Sequence, residues 1–249
     1  MVGTGLVSVS FRGLTPEAVA SAAERAGLKF IEWGSDIHAP WEDAQKLEEV
    51  CRAQEAHGIR CCSYGTYFRL AVTPLEELLG YIRGAKKLGT TILRLWCGTK
   101  KQTDCSEEER AFLLDQCRQA AKIGEREGVT LCLECHRNSY TETKEGALEV
   151  MEAVNSPAFR MYWQPNQWRT VSENLEYVSC LKKYISHVHV FQWKQKQRFP
   201  LRDGLQEWKG YLHALSGQHM LLLEFMPDDD VASLPAEAEA LRMLTGGEQ

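Results

Sequence analysis

Short apolar runs alternate with longer stretches of helical periodicity, and the alternation repeats along the whole chain. The runs are LVSVS (6–10), LKFIEW (28–33), IRCCSY (59–64), TILRLW (91–96), VTLCLE (129–134), FRMYWQ (159–164), ISHVHV (185–190) and HMLLLE (219–224). Each is five or six residues of strand-forming character and is followed by helix-start signals. Thr15-Pro16 opens a helix that Gly27 ends, and a second helix runs from about Glu42 to His57 and stops at Gly58. Thr73-Pro74-Leu75-Glu76 repeats the capping signature ahead of a helix to Gly89, and Ser106 with Glu109 forms a capping box for a long helix to Gly128. Further helices are expected at 143–154, from a Ser172 cap to about Lys183, at 204–215 and at 232–244. Eight strand–helix units in a single stretch of this length predict an α/β fold, a closed (β/α)8 TIM barrel forming one domain over residues 1–249. An open doubly wound sheet fits less well, because Val9-Ser10-Phe11-Arg12-Gly13 after the first strand is not a glycine-rich dinucleotide loop.

The last four runs carry polar side chains at or next to their ends: Glu134, Gln164, His189 and Glu224. Strand parity places Glu134 with Thr130 and Cys132, His189 with Ile185 and His187, and Glu224 with Met220 and Leu222. If Leu131, Leu133, Leu221 and Leu223 pack on the helices, the polar faces point into the barrel at its C-terminal end, where barrel enzymes keep their sites. Two carboxylates, an amide and an imidazole suit a divalent cation, and the carboxylates suit proton transfer. The structural alternative is a set of buried salt bridges, with Arg94, Arg137 or Lys194 as partners, and a core histidine at 189. His187 lies one pleat deeper and reads as structural. Glu32, Tyr64 and Trp96 end earlier strands and are candidate pocket walls; His136 and Arg137 follow strand five, and Lys194 and Arg198 follow strand seven, as candidate substrate contacts or as solvated loops. Trp163, Gln164 and Gln167 belong to an aromatic, amide-rich segment suited to stacking on sugar rings and bonding hydroxyls.

Composition narrows the picture. A net charge of −5 lacks the basic footprint of a nucleic-acid binder, and no apolar run approaches the roughly 20 residues of a membrane span. The first residues lack the basic-then-apolar order of a signal peptide, so a cytoplasmic protein is expected. Nine cysteines without a regular framework fit a reducing compartment. Cys132 and Cys135, three apart on a strand, point to opposite faces and cannot chelate one ion.

Leu133-Glu134-Cys135-His136, His187-Val188-His189-Val190, Leu223-Glu224-Phe225 and the Gly204, Trp208, Tyr211 and Leu212 stretch together resemble the xylose isomerase-like barrels, the sugar phosphate isomerase/epimerase family, over essentially the whole chain. The resemblance implies one divalent metal, Mn²⁺ first, with Mg²⁺, Co²⁺ or Zn²⁺ as alternatives, held by Glu134, Gln164, His189 and Glu224. It implies a small carbohydrate substrate (sugar, sugar phosphate or inositol derivative), isomerised or epimerised through an enediolate by Glu134 and Glu224, and a homodimer as a common assembly. A keto-sugar or keto-inositol dehydratase is the second chemistry implied. Gln164 stands where the family carries Asp. The lost charge leaves open a barrel that binds carbohydrate without catalysis. The three-zinc endonucleases of the superfamily need ligands from earlier strands, where this chain offers Tyr64 and Trp96.

Overall fold

Alternating parity along each apolar run decides the architecture, because it gives every strand one face for the helices and one for the interior. The computed structural model describes residues 3–246. Its strands are β1 (Gly3–Val7), β2 (Phe30–Gly34), β3 (Arg60–Leu70), β4 (Ile92–Cys97), β5 (Thr130–Glu134), β6 (Phe159–Trp163), β7 (Ile185–Val190), β8 (Gln192–Lys194), β9 (Gln197–Phe199) and β10 (Met220–Leu223). All but β8 and β9 pair in parallel and close a barrel in the order β1-β10-β7-β6-β5-β4-β3-β2. The helices are α1 (Pro16–Arg25), α2 (Ala44–His57), α3 (Leu78–Lys87), α4 (Glu107–Glu127), α5 (Lys144–Val154), α6 (Val171–Leu181), α7 (Leu205–Leu215) and α8 (Leu234–Leu244). The chain is thus a single-domain (β/α)8 barrel, as its periodicity predicts.

Leu131, Leu133, Leu221 and Leu223 face the helices in one continuous core. Val7, Val9, Cys62, Cys132, Tyr162 and Leu222 fill the interior. Cys132 therefore points inward and Cys135 outward, and all nine cysteines are free. No helix among the described residues is long and apolar enough to cross a membrane.

Four expectations need correction. The first strand stops at Val7, and Ser8–Phe11 forms a 3-10 turn, in part because the Ser8 hydroxyl accepts the Gly34 N–H at 2.9 Å. Thr73 caps no helix: its hydroxyl accepts the Arg69 N–H at 3.1 Å, and a 3-10 turn, Leu75–Glu77, leads into α3. The cap of α6 is Thr170, which forms a reciprocal capping box with Glu173, and not Ser172. The segment read as a basic loop, Lys194 to Arg198, turns back as the antiparallel β8–β9 hairpin.

Candidate active site

The polar ends of β5, β7 and β10, with Gln164 just past β6, meet above the apolar plug of the barrel. Nδ1 of His189 lies 2.8 Å from Gln164 Oε1, 3.4 Å from Glu224 Oε2 and 3.7 Å from Glu134 Oε1. Glu134, His189 and Glu224 are all buried. The four side chains that sequence parity places at one end therefore do come together. Glu134, Gln164 and Glu224 form the floor of a pocket of about 330 Å³, with His189 fully buried beside them, and the walls include Tyr67, Trp96, His136, Arg137, Gln167, Phe191 and Trp193.

Arg94 organises this floor. It projects inward from β4, almost fully buried, and donates from Nε to Glu32 Oε1 at 2.9 Å and from Nη1 to Glu134 Oε2 at 2.7 Å. The Trp96 indole N–H donates to the same Glu134 oxygen. Ser63 donates to the other oxygen of Glu32 at 2.8 Å. Gly65 makes room for this layer, since a Cβ there would meet Glu32 Oε1 at 2.6 Å and Arg94 Nη2 at 3.0 Å.

The electrostatics follow from burial and neighbours. Burial alone raises every carboxyl here, but Arg94 and His189 overcome it for Glu134 and Glu32, holding both well below the usual range. Glu224 lacks a direct arginine contact; burial and the nearby Glu134 charge outweigh the help of His189, and its carboxyl is pushed up to about 7. Burial opposes charge on His189, yet Glu224, Glu32 and Glu134 raise it to about 10. Its Nε2 is buried without a hydrogen-bond partner and faces Glu32 Oε1 at 3.6 Å. His187, with burial dominating, falls to about 4 and stacks on Tyr162 at a centroid distance of 4.8 Å, in keeping with a structural role.

The donor set can be tested for a divalent cation. Among the described residues, no group of three or more His, Cys, Asp or Glu side chains is already spaced as a metal cage. Three oxygens nevertheless lie around one imidazole nitrogen at 2.8 to 3.7 Å. That range brackets the edge of about 3 Å expected of an octahedron with bonds of ~2.1 Å. The orphaned Nε2 lies on the Glu32 side, 3.6 Å from its carboxylate, and leaves Nδ1 as the nitrogen turned toward the shared point. In donor type the residues suit one divalent ion; in their spacing they form a hydrogen-bonded ion-pair cluster.

Not every residue expected at the site reaches it. Tyr64 packs outward, its hydroxyl donating to the Ala39 carbonyl, because the sheet register shifts between β2 and β3. Trp163 is buried against Trp208 and Tyr211 of α7. Lys194 pairs with Glu207 at 2.7 Å and lies outside this pocket. Arg198 bonds Asp229 and covers the rings of Trp193 and Phe225, bracing the wall from behind. Glu32 sits under the floor as a partner of Arg94. Trp96, His136, Arg137 and Gln167 do line the pocket. Sequence reasoning missed Tyr67 and Arg12, whose guanidinium bonds Tyr67 and Asp36, and the Phe191, Trp193 and Phe225 wall.

Comparison with known proteins agrees with the barrel. A family profile described as xylose isomerase-like TIM barrel matches residues 20–245. A 3-dehydroshikimate dehydratase of Bacillus anthracis is 24% identical over 101 residues, a match spanning 40% of this chain and 36% of that protein. Among solved structures, a probable 3-dehydroshikimate dehydratase from Bacillus anthracis superposes with a TM-score of 0.78 at 17% identity, covering 97% of this chain and 98% of that one. A D-psicose 3-epimerase with D-tagatose from Clostridium cellulolyticum superposes at 0.72 with 13% identity, covering 98% and 99%. A barrel protein with a bound zinc atom, IolI, superposes at 0.74 with 16% identity, covering 99% and 97%.

Proposed function

The chain belongs to the xylose isomerase-like TIM barrel family, and on that footing we propose that it is a metal-assisted isomerase or epimerase of a small carbohydrate. The observation that supports this reading most is the convergence of Gln164, Glu224 and Glu134, which line the pocket floor, on one nitrogen of the buried His189. Those four residues would hold one divalent ion, Mn²⁺ first. When bound, such an ion polarises two adjacent substrate oxygens.

The chain's own residues divide the proton chemistry unequally. Glu224, which has no direct arginine contact and lines the pocket, is the carboxylate placed to take a proton from a substrate carbon and to return it. Glu134 is committed through Oε2 to Arg94 and Trp96, so only Oε1 faces the shared point. It stays ionised and offers the weaker base on the other side of the reacting carbon. Trp96 and His136, stacked at a centroid distance of 5.1 Å, and Arg137 wall the substrate in. Nine free cysteines suit a reducing, cytoplasmic setting.

The test is turnover in D₂O of aldoses and ketoses, with protein stripped by a chelator and reloaded with each candidate metal. Solvent deuterium should enter the substrate carbon. Glu224→Gln should lower kcat by roughly 10²- to 10⁴-fold with KM little changed. Full activity in that variant sinks the assignment. The Bacillus anthracis relative favours a second reading, dehydration of a keto-compound on the same residues. It is recognised by a product lighter by one water. Sugar binding with neither turnover nor metal uptake would indicate a carbohydrate-binding barrel.

A further inference from the structure

A second cavity of about 330 Å³ lies beside the first at the same end of the barrel, and the two share Gln167, Phe191 and Trp193 as a common wall. Its sides are the segment after β6 and the β8–β9 hairpin, tied together where the Gln195 N–H donates to the Gln167 carbonyl at 2.9 Å. A small-molecule site begins at roughly 300 Å³. The first pocket therefore has room for one small ligand, and the second cavity for another of like size.

Its chemistry points to a particular occupant. Trp168 is 47% exposed, and both it and Val171, two of the few large apolar side chains left exposed among the described residues, face this cavity. Arg137, a wall of the first pocket, lies 5.7 Å from the Trp168 ring centre, so the indole begins where the first pocket ends. Asn166, Gln167 and Gln195 bring amides. Of the two cations lining it, Lys194 is paired with Glu207 at 2.7 Å, and Arg169 donates to the Glu142 carbonyl at 2.7 Å and lies over the Tyr177 ring, so both side chains are already held by the protein. An exposed indole and amides are what a neutral pyranose needs, with C–H groups on the ring and hydroxyls on the amides.

We infer that this cavity is a subsite for a second, neutral sugar ring, so that the substrate is a glycosylated carbohydrate whose reacting unit sits over Glu224 while the attached ring lies against Trp168. This rests on the catalytic reading above for the identity of the first pocket. The experiment is saturation-transfer NMR with maltose, cellobiose and lactose against glucose and galactose, together with kcat/KM for each pair, on wild type and Trp168→Ala. Saturation should reach the non-reducing ring. The disaccharide-to-monosaccharide ratio of affinity, and of kcat/KM where turnover occurs, should fall about tenfold in the variant, the loss of roughly one aromatic contact. Equal binding of both sugar sizes, a ratio unmoved by Trp168→Ala, or no binding of any disaccharide overturns the subsite. If no sugar turns over with any metal while the second-ring signal persists and depends on Trp168, the subsite stands and the isomerase reading falls.

Discussion

Arg94 is the residue on which the floor of the pocket depends. It satisfies two buried carboxylates at once, and its own burial is offset by Glu134 and Glu32, which raise it well above its ordinary value. Replacing it by Met removes the partner and leaves two uncompensated charges. Breaking a buried pair in this way costs about 3–5 kcal/mol. Arg94→Met should therefore lower the urea-unfolding free energy by that amount, and a loss under 1 kcal/mol would mean that Glu32 and Glu134 find other partners or become neutral. The sequence made Glu134, His189 and Glu224 legible because a charged or polar side chain closing an apolar run has no cheap place to go. Arg94 was harder to rank, since it sits inside TILRLW and read both as one of three salt-bridge partners and, with Trp96, as a pocket wall. Trp163 and Tyr64 were misplaced for a simpler reason. With Gln164 inward, parity already sends Trp163 to the helices. Tyr64 looked like a strand end, but β3 runs on to Leu70, and the residue that reaches the pocket is Tyr67.

Among the elements, the α1–α2 pair carries a pH-dependent clasp. His57, in the last turn of α2, places Nδ1 2.7 Å from Glu24 and Nε2 2.7 Å from Glu17, both on α1. Two carboxylates on two ring nitrogens require both N–H groups, so these hydrogen bonds raise the His57 pKa in the folded state. A raised folded value means stability that is fully present below the unfolded pKa of about 6.5 and is lost as pH rises through the folded one. The partners are exposed, so the effect is roughly 1 kcal/mol or less. His57→Gln should be less stable than wild type at pH 6, and the gap should close at alkaline pH; a gap independent of pH would show that the pair contributes packing alone. Elements with caps or strict parity were readable: the Ser106 box and the glycine stop at 128 are found where their residues stand. The β8–β9 hairpin was not, because Lys194-Gln195-Lys196-Gln197-Arg198 shows no alternation, and its turn depends on Gln195 adopting a positive φ of 53°.

At the scale of the whole barrel, the buried ionisable layer is arranged so that its charges nearly cancel. Glu32 and Glu134 are held ionised, Arg94 and His189 are held cationic, and Glu224 lies between its two forms near neutral pH. A divalent ion entering at the quartet must displace the Nδ1 proton of His189 from Gln164 and share Glu134 with Arg94. Both demands weaken binding, and the neutral amide of Gln164 adds no charge to offset them. Aspartate at 164 would supply that charge, at the expense of a third carboxylate beside Glu134 and Glu224 whenever no cation is present. The two proteins should therefore respond oppositely. Stripped with a chelator, Gln164→Asp should melt below wild type. With Mn²⁺ added it should gain the larger rise in Tm, since a ligand at 100 times its Kd stabilises by about 2.7 kcal/mol. Elemental mass spectrometry on the same samples should find more Mn per chain in the variant. If Mn²⁺ shifts neither protein, the four residues are a closed ion-pair network and the metal reading fails. If it shifts both equally, the amide ligates as well as a carboxylate, and Gln164 tunes something other than affinity.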